Sequence, residues 1–377
     1  MKGGQPELLK AAAATLFLLL LTTAVPPVVN ADGPACGAII SGSITLNADV
    51  GPCDSLGVGG VALDVGTSGA SLDCHGHAIK GNGTAGTIGI RLEQVDVVKI
   101  KNCRIQGFHI GVFVHGSTLG SFEKNVVRRN DYGFSLLASD LNTLKGDRAI
   151  ENTFGYFLQG STENILKGST ATGNGNGYYL LNSPANLLRG NSAYDNNGAG
   201  FVVDGSSNVR LERNSAKGNN FDGFVVMGRT TNESLRFNTG SGNNGNGFYL
   251  GGSDHGFVVG NRASANTGHG FLIASSTSVE VRGNRAVENL YGIFLLGSTG
   301  NSLTGNLAKG SLYSGFYFSG TSLNNTVSAN EANVNAKYGY LDRTTGTGTS
   351  SSGNFYADDI CRNNGVAGGY LNDLCAP

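Results

Sequence analysis

Tryptophan is absent from the 377-residue chain, proline is scarce with 7 residues, and only 14% of the residues are charged. Twenty-six basic residues stand against 27 acidic ones, which leaves a net charge of −1. This near-neutral balance excludes a nucleic-acid binder held by phosphate contacts. The 39% hydrophobic content excludes a highly charged disordered chain, because it is enough to build a core. Glycine contributes 60 residues without a strict three-residue period, which excludes collagen.

The N-terminus has the pattern of a secretory signal over residues 1–31. A basic start is followed by an apolar run over 11–25, and Val29-Asn30-Ala31 forms a small-residue cleavage site that leaves Asp32 as the mature start. The run is shorter than the ~20 residues that span a bilayer, and no later stretch approaches its length. We expect a secreted, periplasmic or cell-surface protein without a span after signal removal. An uncleaved anchor is the alternative.

Cysteine is missing between residues 104 and 360, and all six cysteines lie beyond the leader. An even number in an exported chain predicts disulfides. Many connectivities are formally possible, but the placement favours local pairs. The predicted pairs are Cys36–Cys53, Cys74–Cys103 and Cys361–Cys375. No C-x-x-C spacing occurs, which argues against a zinc site.

A glycine followed by a large apolar residue recurs every 22 to 24 residues. Its positions are Gly89, Gly111, Gly133, Gly155, Gly177, Gly200, Gly223, Gly247, Gly270, Gly292, Gly315 and Gly339. An asparagine column keeps the same interval from Asn191 to Asn330, and continues upstream as Ser169, Asp147 and Asn125. A second column runs from Asn130 to Asn335, and an alanine column runs from Ala149 to Ala332. Fixed periods of this length indicate a repeat architecture.

Each unit is extended, because apolar residues alternate with period 2 after each glycine. The first and third residues after the glycine are both apolar, as in Phe201 and Val203, so they point to one face. Three short strands and three turns per unit predict one coil of a single-stranded parallel β-helix. Identical positions then stack about 4.8 Å apart, and the asparagines form ladders that satisfy the turn backbone. Glycine and asparagine are expected to supply the left-handed turn conformations.

The predicted fold is all-β, with about 12 coils of 22 to 24 residues and disulfide-bearing end caps. Proline is avoided in such a sheet, since every strand must donate hydrogen bonds, and within residues 54–376 only Pro184 occurs, in a predicted turn. The predicted organisation is a signal peptide over 1–31, an N-terminal cap and first coils over 32–85, parallel β-helix coils over 86–342, and a loop and C-terminal cap over 343–377.

The pattern resembles the right-handed parallel β-helix repeat proteins of the pectin-lyase-like superfamily, and within them the NosD-like and uncharacterised exported group. The stretches that carry the resemblance are Cys36-Gly37, Gly51-Pro52-Cys53, 72–81, 98–105 and the later Gly-Phe-x-Leu and Asn-x-Leu-x-Gly-Asn units. It covers roughly residues 35–342. The resemblance implies the right-handed sense. It says less of activity, since the superfamily contains lyases, hydrolases, epimerases and adhesins.

Signatures of the superfamily's enzymes are missing. Asp358-Asp359 is not followed by the Arg-Ile-Lys of polygalacturonase-like hydrolases, and His75-Gly76-His77 comes too early for their Gly-His-Gly. The Asp-Pro-His-Asp of mannuronan epimerases and the mid-rod Asp cluster of pectate lyases do not occur. Whether the protein is an enzyme is therefore left open. The residues themselves predict no cofactor, and a bound Ca²⁺ is implied by the family resemblance alone.

Stacking predicts one polar cluster, which supplies the candidate catalytic residues. It places Glu93 beside His115 and His109 beside Asp131, with Arg91 flanking the first pair. A carboxylate beside a histidine favours its charged form, and such pairs can serve acid–base work. The alternative is an exposed polar patch on early coils.

Two further sets of residues are candidates for binding. His75 and His77 are two apart, which on a strand gives one face and suits a metal pair. The favoured interpretation is a turn element that, by the resemblance, recurs in such β-helices as a Gly-His step. The second residue after each glycine points outward yet is often aromatic, which predicts either a sugar-binding platform or strand-stabilising contacts. The candidate ligand-binding residues are Phe113, Phe157, Tyr179, Tyr249, Phe294 and Tyr317.

The leading functional hypothesis is an exported β-helix that binds, or binds and modifies, an extracellular polysaccharide or cell-surface glycan. If it is catalytic, the resemblance implies proton abstraction from a uronate polymer, as in lyases and epimerases. One alternative is a non-catalytic surface scaffold or adhesin. Another is a NosD-like accessory protein that handles metal, although Met227 is the only methionine after the leader.

Overall fold

The computed structural model describes residues 34–57, 59–366 and 374, and these residues form three long parallel β-sheets. Each coil after the first contributes one strand to each sheet, and every strand pairs with the equivalent strand of a neighbouring coil. A single 3₁₀ turn, Thr349–Ser351, is the helical element of the described residues. The all-β parallel solenoid predicted by the repeat is confirmed.

The three sheets are named here by their strands. Sheet A contains Ala38–Ile40, Val61–Val65, Ile88–Glu93, Ile110–His115, Tyr132–Leu137, Phe154–Gln159, Asn176–Leu181, Phe201–Asp204, Phe224–Met227, Phe248–Gly251, Phe271–Ala274, Ile293–Leu296, Phe316–Phe318 and Tyr340–Asp342. Sheet B contains Ser43–Thr45, Ser71–Asp73, Lys99–Lys101, Ser121–Glu123, Thr143–Lys145, Ile165–Lys167, Leu187–Arg189, Arg210–Glu212, Ser234–Arg236, Phe257–Val259, Glu280–Arg282, Ser302–Thr304, Thr326–Ser328 and Phe355–Ala357. Sheet C contains Ala78–Lys80, Arg104–Gln106, Val126–Arg128, Arg148–Ile150, Thr170–Thr172, Ser192–Tyr194, Ser215–Lys217, Thr239–Ser241, Arg262–Ser264, Arg285–Val287, Leu307–Lys309, Glu331–Asn333 and Ile360–Arg362.

The core consists of columns of like side chains that stack from coil to coil. Six aromatic rings of sheet A, from Tyr156 to Phe271, are fully buried and nearly parallel, with successive centroids 4.5–4.8 Å apart. Sheet C supplies the opposite wall, mostly alanine from Ala149 to Ala332. A Cβ at Gly200 would stand 2.9 Å from the Ala216 Cβ and 2.7 Å from the Gly223 carbonyl oxygen. Where the chain passes from sheet C into sheet A, neighbouring coils lie too close together for a larger side chain. Glycine and alanine therefore fill these two columns.

Both predicted ladders run through the turns. In the column that contains Asn191, the backbone N–H and the Nδ2 group both donate to the Oδ1 of Asn214 one coil away. The column that contains Asn196 repeats this pattern toward Asn219. Nδ2 also donates to a core-strand carbonyl, as from Asn191 to Leu166. These bonds satisfy turn groups that would otherwise be buried without partners.

The structure adds two columns that the sequence analysis missed. A serine column includes Ser139, Ser161 and Ser183, whose hydroxyls each accept a backbone N–H of the previous coil. A third asparagine ladder passes through Asn142 and Asn164. It is interrupted by Val209, Glu233, Gly256 and Val279, which break its pattern in the sequence.

The expectation that glycine and asparagine supply the left-handed turn conformations is wrong in part. Bulky residues adopt positive φ at equivalent turns, among them Leu119 at 57°, Phe237 at 56° and Val334 at 54°. Their side chains are largely exposed. The ladders on either side fix the turn backbone, so tertiary context supplies the energy that the left-handed region costs an L-residue.

The coil count exceeds the predicted figure, because sheets A and B have 14 strands each. Both additional coils lie before Gly89, where coil lengths change and the glycine motif weakens. Asp359 is not part of a separate acidic pair, since its Oδ1 accepts from Asn330 and extends the ladder.

Disulfides Cys36–Cys53 and Cys74–Cys103 join neighbouring parts of the first coils, as predicted. Cys361 is also disulfide-bonded, while its predicted partner Cys375 lies outside the described residues, as does the predicted signal. The predicted domain boundaries stay predictions. In the described part of the chain, no helix combines the length and the apolar character needed to cross a bilayer.

Candidate functional site: the outer face of sheet A

Two groups of aromatic side chains project from the outer face of sheet A. The first aromatic cluster, in the early coils, consists of His109, Tyr132, Phe154, Phe157 and Tyr179. Its neighbouring rings lie 5.3–5.9 Å apart, and the Tyr132 and Phe154 rings are stacked at 5.3 Å. All five side chains are half-buried, so each ring keeps an accessible surface.

The second aromatic cluster, in the late coils, consists of His269, Tyr291, Phe294, Tyr313 and Tyr317. The Tyr291 ring stacks on both Tyr313 at 5.3 Å and Tyr317 at 5.2 Å. The Phe294 and Tyr317 rings are 4.5 Å apart, and His269 meets Phe294 edge-on at 4.9 Å. The Lys337 ammonium lies 4.5 Å from the Tyr313 ring centroid, so a cation closes one side of the cluster.

The predicted platform residues divide between these clusters. Phe157 and Tyr179 belong to the first cluster, and Phe294 and Tyr317 belong to the second. Phe113 stacks on His115 at 5.9 Å, and Tyr249 lies on a coil between the clusters.

The cluster members that precede the glycine were not predicted from the sequence; they are Tyr132, Phe154, His269, Tyr291 and Tyr313. A signal existed, because Tyr132 and Phe154 are 22 residues apart, as are His269, Tyr291 and Tyr313. These positions lie in or beside the turn before each strand, where the alternation after the glycine gives no expectation.

Burial gives two of these groups unusual protonation behaviour. Desolvation lowers the pKa of His269 to about 4, so its imidazole is neutral at physiological pH. Its buried Nδ1 has no hydrogen-bond partner within the described residues. Desolvation, followed by the nearby Tyr317 and Tyr313, raises the pKa of Tyr291. The second cluster is thus an uncharged surface with the Lys337 ammonium and the Arg343 guanidinium nearby.

The predicted polar pairs form at the start of the first cluster. His109 Nδ1 lies 2.7 Å from Asp131 Oδ2, and His115 Nδ1 lies 3.4 Å from Glu93 Oε1. Arg91 lies 3.3 Å from Glu93, as expected.

Arg91 makes a stronger contact that the sequence analysis did not anticipate. Its Nε and Nη2 donate to the two oxygens of Asp64, and that contact raises the pKa of Arg91. The pairing that stacking implies is therefore present, while its chemical use stays a prediction.

The expected strand face of His75 and His77 is wrong. His75 has φ 47° and Gly76 has φ 87°, so the two histidines flank a turn. His75 N–H donates to Asp73, and His77 Nδ1 lies 3.5 Å from Asp49. The left-handed turn disrupts the alternation on which the shared face depended. Across 34–57, 59–366 and 374, no group of three or more His, Cys, Asp or Glu side chains is placed to hold a metal ion.

Comparison with known families agrees with the parallel β-helix described above. The model of the right handed beta helix region matches residues 88–239, and the model of NosD, a periplasmic copper-binding protein, matches residues 219–359. The chain is a right-handed parallel β-helix. No curated protein sequence matches this β-helix significantly.

Solved structures share the fold at low identity. The A-module of the mannuronan C-5 epimerase AlgE6 of Azotobacter vinelandii is 17% identical over 90% of the β-helix and 91% of its own chain, with a TM-score of 0.53. A point mutant of the periplasmic alginate epimerase AlgG is 15% identical over 89% of the β-helix and 82% of its own chain, with a TM-score of 0.52. The catalytic unit of an α-1,3-glucanase from Streptomyces thermodiastaticus is 16% identical, covering 90% and 66%, with a TM-score of 0.51.

Proposed function

We propose that this β-helix binds an extracellular polysaccharide along the outer face of sheet A, with the two aromatic clusters as its sugar-binding subsites. The observation that carries the proposal is the second cluster, where several accessible rings lie side by side in a neutral surface. Pyranose rings present flat C–H faces that pack on aromatic rings, and tyrosine adds a hydroxyl for sugar oxygens. The similar folds named above as epimerases and a glucanase support the same ligand class.

The geometry favours a long ligand over a small one. From Phe113 to Tyr317 the outer row of sheet A crosses ten coils, a distance of roughly 45 Å at the usual strand spacing. Tyr249, Val202, Val225 and Leu272 continue the row between the clusters. Rigid rings on a rigid sheet lose little conformational entropy on binding, which favours recognition of an extended chain.

Removing two rings of the second cluster is expected to weaken glycan binding. A glycan array on the mature protein first identifies the ligand, and calorimetry then compares the wild type with Tyr291→Ala/Tyr317→Ala. We expect affinity to fall at least about tenfold, because buried aromatic contacts dominate binding energy.

Tyr194→Ala is the matched control, since Tyr194 is a half-buried tyrosine on sheet C. Equal affinity of the double variant and the wild type, with unchanged circular dichroism, would rule out the second cluster as a subsite.

A catalytic function is the finer proposal, and it is carried by the His109–Asp131 pair. Asp131 engages Nδ1, which orients the ring and leaves Nε2 free to accept a proton. For a uronate polymer, such a group would abstract the proton next to the carboxylate. If glycan turnover is detected as unsaturated or epimerised product, His109→Ala should lower the rate by about a hundredfold or more, a much larger factor than its effect on glycan affinity.

His255→Ala provides the control for the catalytic test. His255 Nδ1 lies 2.9 Å from Asp254, an equivalent pair on an exposed turn. Unaltered turnover in His109→Ala would remove the pair from catalysis. Glycan binding without any product would instead favour the adhesin or scaffold alternative.

The NosD match supports a further candidate, accessory handling of copper, over residues 219–359. Copper titration followed by the visible absorbance of the protein separates this candidate from glycan binding.

A further inference from the structure

The three outer faces of the rod differ in charge. The strands of sheet A carry four acidic residues and one basic residue. The strands of sheet C carry one acidic residue, Glu331, and nine basic ones. The basic residues are Lys80, Arg104, Arg128, Arg148, Lys217, Arg262, Arg285, Lys309 and Arg362. In a chain of net charge −1, this segregation makes sheet C a basic face.

The basic side chains converge at one end of sheet C. A cleft of about 490 Å³ there is lined by Lys80, Arg104, Arg128 and Arg148, together with Gln106. In the register of the sheet, Arg104 and Arg148 face each other across Val126, and Arg128 projects from the middle coil. Two coils separate the outer arginines by roughly 10 Å, and Arg128 lies on the coil between them, two residues further along its strand, in the row of Gln106 and Ile150.

The charge of this cleft is largely uncompensated. Asp49 lies 2.7 Å from Lys80 and neutralises it; a backbone N–H from Ala78 and the Lys80 ammonium lower the pKa of Asp49 to about 2. Arg128 Nε donates to the neutral Gln106 amide. Within the described residues, no carboxylate lies within ion-pair distance of Arg104, Arg128 or Arg148.

We propose that this cleft is a second ligand site, which binds the anionic groups of a polysaccharide. Three guanidiniums held at short range repel one another, and an anion between them relieves that repulsion. Planar guanidinium groups pair with carboxylate or sulfate through two parallel hydrogen bonds. The proposal rests on the proposed function only in taking the ligand to be a polysaccharide.

The surroundings favour a glycan over a membrane surface. Membrane-binding faces combine basic residues with large exposed apolar side chains that insert into the lipid. The cleft has none, since Ile150 is half-buried and the exposed large apolar residues of the described chain lie elsewhere. The arginines also follow the coil axis, along which one coil rises by a distance close to that of one sugar unit.

The test measures affinity for polygalacturonate, dextran sulfate, neutral dextran and phosphatidylglycerol vesicles by calorimetry. The test variant is Arg104→Gln/Arg148→Gln, and the control is Arg262→Gln/Arg285→Gln. The control removes the same charge from two exposed positions of sheet C that pair with each other on later coils, away from the cleft. We expect the first double variant to bind the anionic glycans at least about tenfold more weakly, with a smaller salt dependence, and the control to bind as wild type.

Three outcomes would overturn the proposal. Equal losses in both double variants would assign binding to overall charge, no loss in either would remove the cleft, and binding to vesicles alone would assign it to lipid. Failure of the cleft and failure of the aromatic subsites are distinguishable. Tyr291→Ala/Tyr317→Ala weakens binding of neutral and anionic glycans alike, whereas the arginine variant affects anionic glycans alone.

Discussion

Phe224→Ala is expected to lower the free energy of unfolding by about 4 kcal/mol, the usual cost of removing a fully buried phenylalanine. The Phe224 ring is inaccessible to solvent and lies between the rings of Phe201 at 4.8 Å and Phe248 at 4.7 Å. The substitution leaves a cavity in the middle of the aromatic stack. The surrounding coils cannot collapse into it, because the hydrogen bonds of three sheets fix their spacing. Urea unfolding followed by circular dichroism measures the loss.

Phe221→Ala is the matched control for this experiment. Phe221 lies three residues before Phe224 and its side chain is 65% exposed. Its replacement should therefore lower the free energy of unfolding by less than about 0.5 kcal/mol. Similar midpoints for the two variants would contradict the stacked core.

Asp147→Asn is expected to stabilise the protein by up to about 4 kcal/mol at neutral and alkaline pH. Asp147 occupies an asparagine position of a ladder and is fully buried. Its Oδ1 accepts from Asn125, but its Oδ2 has no partner in the described structure. Desolvation therefore raises the pKa of Asp147 from 3.8 to about 7. An asparagine is uncharged and can donate to the carbonyl of the preceding coil, as Asn191 does.

The same pKa shift predicts the pH dependence. Between pH 4 and pH 7 the folded wild type holds the Asp147 proton, while the unfolded chain has released it. Stability therefore falls as pH rises through this window, and the full penalty applies above the folded pKa of about 7. Asp147→Asn should remove the share of this slope that Asp147 contributes, and the share of Asp222, Glu233 and Asp359, whose pKa values burial also raises, should remain. The exposed Asp195→Asn should leave the whole slope in place. Melting temperatures across the window test this, and parallel curves for wild type and Asp147→Asn would refute it.

The architecture could be predicted from the sequence because each coil repeats the same physical problem. Glycine is required at the close corner, alanine opposite it and asparagine at the turn, so three columns mark the coil with nearly invariant residues. Such columns also predicted the His109–Asp131 pair, since stacking converts a 22-residue spacing into a contact.

The aromatic clusters and the arginine cleft could not be predicted in the same way. Their side chains lie on outer faces, where many residue types are tolerated and no column is invariant. Their convergence also depends on coil length, since Tyr313 precedes its glycine by two residues and Tyr291 by one. The third ladder was missed for a related reason. Glu233 takes an asparagine position and bonds the Ser253 hydroxyl, so the polar column survives there without its usual residue.

The stacking of equivalent residues gives the rod a simple relation between gene and surface. Each coil adds one side chain to every row, and its neighbours contact it through the same backbone bonds everywhere. Duplication or deletion of a whole coil would therefore lengthen or shorten the molecule without a new core. A single substitution at an outward position alters one point on one face. Such a scaffold can change the length and the selectivity of its surfaces independently of the stability of its interior.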